Sequence, residues 1–121
     1  MRKKLLLVED EPSIVELLID RANFHNLDCD TAASGEEALE KLKNSPPTLV
    51  ILDLMLPKMS GLGVLREMRN SPTMKNIPVL ILTALNQEKV AREAMDLGAK
   101  AFFVKTGNMN DLFKLIQEYI R

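Results

Sequence analysis

Four places in the chain carry residues that could do chemistry, and each lies at the end of a short apolar run. Glu9-Asp10-Glu11 follows Leu5–Val8, Asp53 follows Leu49–Leu52, Thr83 follows Val79–Leu82, and Lys105 follows Ala101–Val104. Clustered carboxylates repel one another and raise each other's pKa unless a cation intervenes. A hard divalent ion such as Mg²⁺ answers that need, because it takes oxygen ligands and keeps several waters. Lys105 and Thr83 would add a point charge and a hydroxyl donor suited to phosphoryl oxygens. An aspartate held at the end of an apolar strand suits a nucleophilic carboxylate that forms an acyl phosphate. Taken singly, each residue has a plainer reading. The acids could favour a helix dipole, Thr83 could cap, Asp53 could turn the chain, and Lys105 could sit in solvent at a strand end. Their arrival together at one edge of a sheet is what favours phosphoryl transfer to an aspartate.

That convergence requires elements to deliver it. The apolar runs Leu5–Val8, Cys29–Ala33, Leu49–Leu52, Val79–Leu82 and Ala101–Val104 have strand length, and turn or capping residues follow each. Leu49–Leu52 and Val79–Leu82 are apolar without alternation, as befits parallel strands covered on both faces. Helical stripes lie between the runs. Ile14, Leu17, Leu18 and Ala22 share one face behind Pro12, and Ser34 with Glu37 forms a capping box before Ala38, Leu39 and Leu42. Leu62, Leu65 and Met68 make a third stripe, and Val90, Ala94 and Leu97 a fourth, ending at Gly98 as a C′ residue. Met109, Leu112, Phe113, Ile116 and Ile120 make a fifth. Five strand–helix repeats predict a parallel sheet with helices on both faces, which binds ligands beyond the carboxyl ends of its strands.

The chain has 121 residues, which is the length of one domain. A hydrophobic share of 46% with 27% charged residues is globular, and a net charge of −1 argues against a dedicated nucleic-acid binder. The lone Cys29 excludes an internal disulfide framework, and the apolar run at Leu5 is too short for a signal peptide or a membrane span. A cytoplasmic address without membrane contact is the expectation.

Glu9-Asp10, the stretch Asp53-Leu54-Met55-Leu56-Pro57-Lys58-Met59-Ser60-Gly61, Leu82-Thr83-Ala84, and Gly98-Ala99 with Phe102 and Lys105 together resemble the receiver domains of two-component response regulators. The resemblance covers residues 1–121 and implies a flavodoxin-like three-layer α/β sandwich, with a five-stranded parallel sheet in the order 2-1-3-4-5 and five helices. It implies that Asp53 accepts a phosphoryl group from a sensor histidine kinase or histidine phosphotransfer protein. Mg²⁺ would be held by Glu9 (partly through water), Asp10, Asp53 and the main-chain carbonyl of Met55. Thr83 and Lys105 would contact the phosphoryl oxygens, and Phe102 would be the switch aromatic that follows Thr83. The chain would then be a phosphoprotein switch, not a turnover enzyme, catalysing only its own phosphoryl acceptance and autodephosphorylation. Its downstream protein target would meet the fourth helix, fifth strand and fifth helix. The receiver pattern runs to near Arg121, so the expectation is a stand-alone domain without an output domain, with one domain cut from a longer regulator as the alternative.

One position departs from the family pattern: Thr106 follows Lys105 where the family has a cis-proline. A non-proline cis bond costs about 2.5–4 kcal/mol, so either Lys105–Thr106 is a strained cis bond or the loop turns differently with help from Gly107. Met55 and Leu85, two residues beyond Asp53 and Thr83, are large and apolar and are expected to impede attacking water. Other functions compete. A flavin or nucleotide carrier would need a phosphate-cradling loop where Glu9-Asp10-Glu11-Pro12 stands, and an aspartyl-phosphate hydrolase would need an acid where Met55 stands. A receiver-like interaction module that works without phosphorylation is the remaining alternative. His25 reads as a surface residue, Cys29 as a small buried one, and most methionines as packing.

Overall fold

Among the described residues of the computed structural model, 2–84 and 86–120, ten elements alternate along the chain. The strands are β1 (Lys4–Val8), β2 (Asp28–Ala32), β3 (Leu49–Asp53), β4 (Val79–Thr83) and β5 (Ala101–Val104). The helices are α1 (Pro12–Phe24), α2 (Gly35–Asn44), α3 (Gly61–Arg69), α4 (Glu88–Asp96) and α5 (Met109–Tyr119). Every strand pairing is parallel and the order is β2-β1-β3-β4-β5, the flavodoxin-like topology expected from the sequence. Val8 lies opposite Leu52, and Asp53 lies opposite Leu82, so the carboxyl ends of the central strands finish side by side.

Alternation along each central strand builds two cores from one sheet. Leu5, Leu7, Leu49, Ile51, Leu80 and Leu82 pack against Leu18 and Ala22 of α1 and against Leu112, Phe113 and Ile116 of α5. Leu6, Val8, Val50, Leu52, Val79 and Ile81 face Ala38 and Leu42 of α2, Val64, Leu65 and Met68 of α3, and Ala91 and Ala94 of α4. Full burial of such a side chain is worth about 1.5–3 kcal/mol, so these strands are the least movable part of the molecule. Among the described residues, no helix is long and apolar enough to cross a membrane.

Several local expectations change. β2 begins at Asp28 and ends at Ala32, and only Ala32 is fully buried, because it is an edge strand carrying charge. Asp30 there pairs with Lys41 of α2 at 2.9 Å. Leu17 does not share the buried face of Leu18; it is 41% exposed. Ser34 accepts from the Glu37 N–H at 3.2 Å, but the Glu37 carboxylate reaches the N–H of Ala33 at 2.8 Å, one residue before the reciprocal bond of a capping box. His25 is only half-exposed, since its ring stacks on Phe113 with centroids 5.1 Å apart. Cys29 is likewise half-buried, and burial pushes its thiol up to about 11, which keeps it protonated and unreactive. Gly98 follows α4 with φ +98°, the left-handed conformation expected of a C′ glycine. Arg69 of α3 donates to the carbonyls of Leu97 (2.8 Å) and Gly98 (3.1 Å), which ties that end of α4 down.

Gly61 opens α3 under tighter restraint. A Cβ there would lie 2.4 Å from the Asp53 carbonyl oxygen and 2.7 Å from Leu54 Cα, and the Gly61 N–H already donates to Leu54 at 3.0 Å. Backbone cannot swing aside as a side-chain tip can. Gly61→Ala is therefore expected to destabilise the fold by about 1–3 kcal/mol, read by chemical denaturation, because the new methyl wedges α3 away from the end of β3.

Candidate functional site

Strand ends, one loop and one helix start assemble the site. β1 runs into Glu9, whose N–H continues the sheet by donating to Ala32 at 2.9 Å. The chain then turns at Asp10 and Glu11, and Pro12 starts α1 where a missing N–H costs nothing. Asp53 is the last residue of β3 and Thr83 the last of β4. Lys105 follows β5, and its N–H donates to the Thr83 carbonyl at 2.8 Å, so the β4–β5 ladder sets its position. Glu9, Asp53 and Thr83 are buried, while Asp10 is exposed at the rim.

Lys105 is the hub. Its Nζ lies 2.9 Å from Glu9 Oε1, 3.2 Å from Asp53 Oδ2 and 3.1 Å from Glu11 Oε1. The peptide bonds described, Lys105–Thr106 included, hold no cis bond, so Lys105 reaches the site through a trans bond without the family's proline. Asp53 Oδ1 accepts the N–H of Met55 at 3.0 Å, which fixes its carboxylate from the other side. Glu9 Oε2 accepts the N–H groups of Asp10 and Glu11, each at 3.1 Å. Glu9 Oε1, though at ion-pair distance from Lys105, is buried with no aligned hydrogen-bond donor.

Burial, reinforced by the like charge of Asp53, pushes Glu9 up to about 7 against the opposing bonds from Lys105 and the Glu11 N–H. For Lys105, burial works towards a lower value. The bonds to Glu9 and Glu11 and the charge of Asp53 outweigh it and hold the ammonium above its ordinary range. One cation thus serves an acidic cluster too large for it. Glu9, Asp10 and Asp53 each offer a carboxylate oxygen within 4.8 Å of the others. An all-oxygen, anionic donor set with a buried unpartnered oxygen fits a hard divalent cation.

The remaining candidates stand around this centre. The Thr83 hydroxyl donates to the Ala84 carbonyl at 2.7 Å. Phe102 on β5 is 43% exposed, whereas its neighbour Phe103 packs into the core beside α5, as opposite-facing strand neighbours must. The Met55 side chain is 59% exposed. Leu85 lies outside the described residues. Glu11 belongs to the acidic run read from the sequence but carried no assigned role there; its carboxylate, still largely exposed, reaches Lys105 Nζ at 3.1 Å.

A family model described as the response regulator receiver domain matches residues 5–117. The chain is 36% identical over 121 residues to the alkaline phosphatase synthesis transcriptional regulatory protein PhoP of Bacillus subtilis (strain 168), covering 100% of this chain and 50% of that protein. The chain spans about half the length of the curated relatives it matches. Among solved structures, a provisionally named response regulator from Chloroflexus aurantiacus J-10-fl superposes with a TM-score of 0.94 at 27% identity, over 99% of this chain and 98% of that one. The BeF3-activated N-terminal receiver domain of Klebsiella pneumoniae RstA superposes with a TM-score of 0.89 at 27% identity, over 98% of each chain.

The raised Glu9 has a consequence for pH. In the folded, metal-free protein Glu9 keeps its proton to about pH 7, whereas the unfolded chain releases it near 4.5. The folded state therefore binds more protons between those values, and this contribution to stability is complete below pH 4.5 and lost as pH rises through 7. Denaturation in chelator at pH 5.5 and 8.5 is expected to show the wild type losing about 2 kcal/mol of stability relative to Glu9→Gln. A divalent cation is expected to stabilise the wild type more at pH 8.5 than at pH 5.5.

Proposed function

This chain belongs to the response regulator receiver domains, and from that membership we propose that residues 1–121 form a phosphorylation-controlled switch of a two-component system. An oxygen of Asp53 attacks the phosphorus of a phosphohistidine on a sensor histidine kinase or histidine phosphotransfer protein. The P–N bond breaks, its electron pair leaves with the imidazole, and Asp53 carries an aspartyl phosphate. The observation that supports this best is the Lys105 ammonium 3.2 Å from Asp53 Oδ2, among carboxylates that outnumber it.

Glu9, Asp10, Asp53 and the Met55 carbonyl would hold Mg²⁺, which when bound offsets the charge of the phosphoryl oxygens. The chain's own groups do the rest. The Met55 N–H and Lys105 orient the Asp53 carboxylate before attack, which lowers the entropic part of the barrier. Lys105 then trades carboxylate oxygens for a phosphoryl oxygen. The Thr83 hydroxyl leaves the Ala84 carbonyl for another phosphoryl oxygen, and the exposed ring of Phe102 turns inward behind it. The surface of α4, β5 and α5 changes, and a downstream protein reads the change. On this reading the unit works in the cytoplasm, touches neither nucleic acid nor membrane itself, and turns over no substrate beyond its own acyl phosphate.

Incubation with acetyl phosphate and Mg²⁺ is expected to add one phosphoryl mass, abolished in Asp53→Ala and by chelation. An unmodified wild type, or a modified Asp53→Ala, would overturn the assignment. Lys105→Met is expected to slow acceptance about 10²–10³-fold, the scale of removing one preorganised charge-stabilising donor.

The apolar Met55 side chain, at the rim beside Asp53, is proposed to deny water an ordering partner near the acyl phosphate. Met55→Asn is expected to speed loss of the phosphoryl group at least severalfold, followed by intact mass after removal of the phosphodonor.

A further inference from the structure

The proposed switch uses the carboxyl edge of the sheet, but a second feature lies on the α1–α5 side and none of the chemistry above involves it. A half-open cavity of about 320 Å³ is lined by His25, Asn110, Phe113, Lys114 and Gln117. The four α5 residues fall at i, i+3, i+4 and i+7, so they form one helix face, and the His25 ring stacks flat on Phe113 to make the apolar wall. A cavity of ~150 Å³ already holds a benzene ring, so this one admits a phenyl group with room for polar neighbours.

Directly beside the cavity stands a phenyl group with nothing to cover it. Phe24, the last residue of α1, is 74% exposed, and its ring meets the same His25 edge-on with centroids 5.2 Å apart. Leu17, two turns earlier on the same helix face, is 41% exposed. The exposed Asp20 lies between them, one turn before Phe24. α1 thus displays an aromatic and an acid four residues apart, while the adjoining cavity offers an aromatic wall and the cation of Lys114. A knob and a complementary hole side by side on one surface are what a two-fold, self-complementary interface requires.

We propose that this face is a homodimer surface, in which Phe24 of each copy enters the cavity of the other and Asp20 of each copy meets Lys114 of the other. The patch is small, so the dimer is weak and rapidly exchanging, as interfaces below the standard size are. It lies apart from Asp53 and needs no phosphoryl group.

Sedimentation of the unphosphorylated chain across a concentration series tests this. The weight-average mass is expected to climb towards twice that of the monomer for the wild type and equally for Asp53→Ala. Phe24→Ser, a change at an exposed position, is expected to stay monomeric throughout. Asp20→Lys and Lys114→Asp should each weaken association about tenfold or more, and the double charge reversal should restore it. A wild type that stays monomeric, a Phe24→Ser variant that associates like the wild type, or a charge reversal that fails to restore association would overturn the proposal. So would saturable binding of phenylacetate at Phe113 and His25 with no self-association, which would make the cavity a small-molecule site instead.

Discussion

One ammonium among too many carboxylates is the constraint around which this molecule is arranged. Lys105 touches Glu9, Glu11 and Asp53, and Asp10 stands at the rim. Removing a partner from a buried charge pair is strongly destabilising, because it leaves a charge without compensation. Here the imbalance is present by design of the sequence. Burial acts on Glu9 so strongly that it keeps its proton to about 7, although a lysine lies at 2.9 Å. The centre is under electrostatic tension that a cation, a proton or a change of Lys105's partners can relieve, and each of those alters the charge that the surrounding backbone must accommodate.

The rest of the fold supplies the stiffness that keeps such a centre from relaxing. β1, β3 and β4 are packed on both faces, so Glu9, Asp53 and Thr83 leave from three strand ends that cannot drift apart without opening both cores. Gly61 brings the start of α3 to within contact of the Asp53 carbonyl, closing the loop that carries Met55. Carboxylates on mobile loops would simply separate under their mutual repulsion. Held on strands, they cannot.

Much of this was legible in the sequence because its signals were local and redundant. Unalternating apolar runs marked β3 and β4, and the acids, Asp53, Thr83 and Lys105 stood at run ends, where the topology of a parallel sheet gathers them. What the sequence left open depended on geometry between distant segments. Thr106 allowed either a cis bond or a different turn, and only the placement of the β4–β5 ladder, through the Lys105 N–H on Thr83, brings the ammonium inward over a trans bond. Leu17 matched the stripe spacing but sits at its margin, since α1 is covered by the sheet and α5 over a narrower arc than the pattern suggested. β2 shifted because an edge strand is held by Lys41 and backbone pairing, not by an apolar run. Glu37 satisfied a different N–H because several donors before α2 were within its reach.

The distribution of rigidity also bears on where a change at the centre can be felt. α4 buries only Ala91 and Ala94 fully, two side chains with little apolar surface to lose, and its N-cap Gln87 makes no side-chain capping bond. β5 has no fully buried residue and a single strand neighbour. The far end of α4 is anchored by Arg69 to the Leu97 and Gly98 carbonyls, so the end nearest Thr83 is the freer one. Elements with few buried contacts open at the lowest free energy. A change in the hydrogen bonding of Thr83, which joins the stiff sheet to this soft flank, therefore finds its least costly response in α4 and β5. α5 shares that surface but inserts Leu112, Phe113 and Ile116 into the core, so it yields less than α4 and β5. The asymmetry of packing gives the proposed signal a direction.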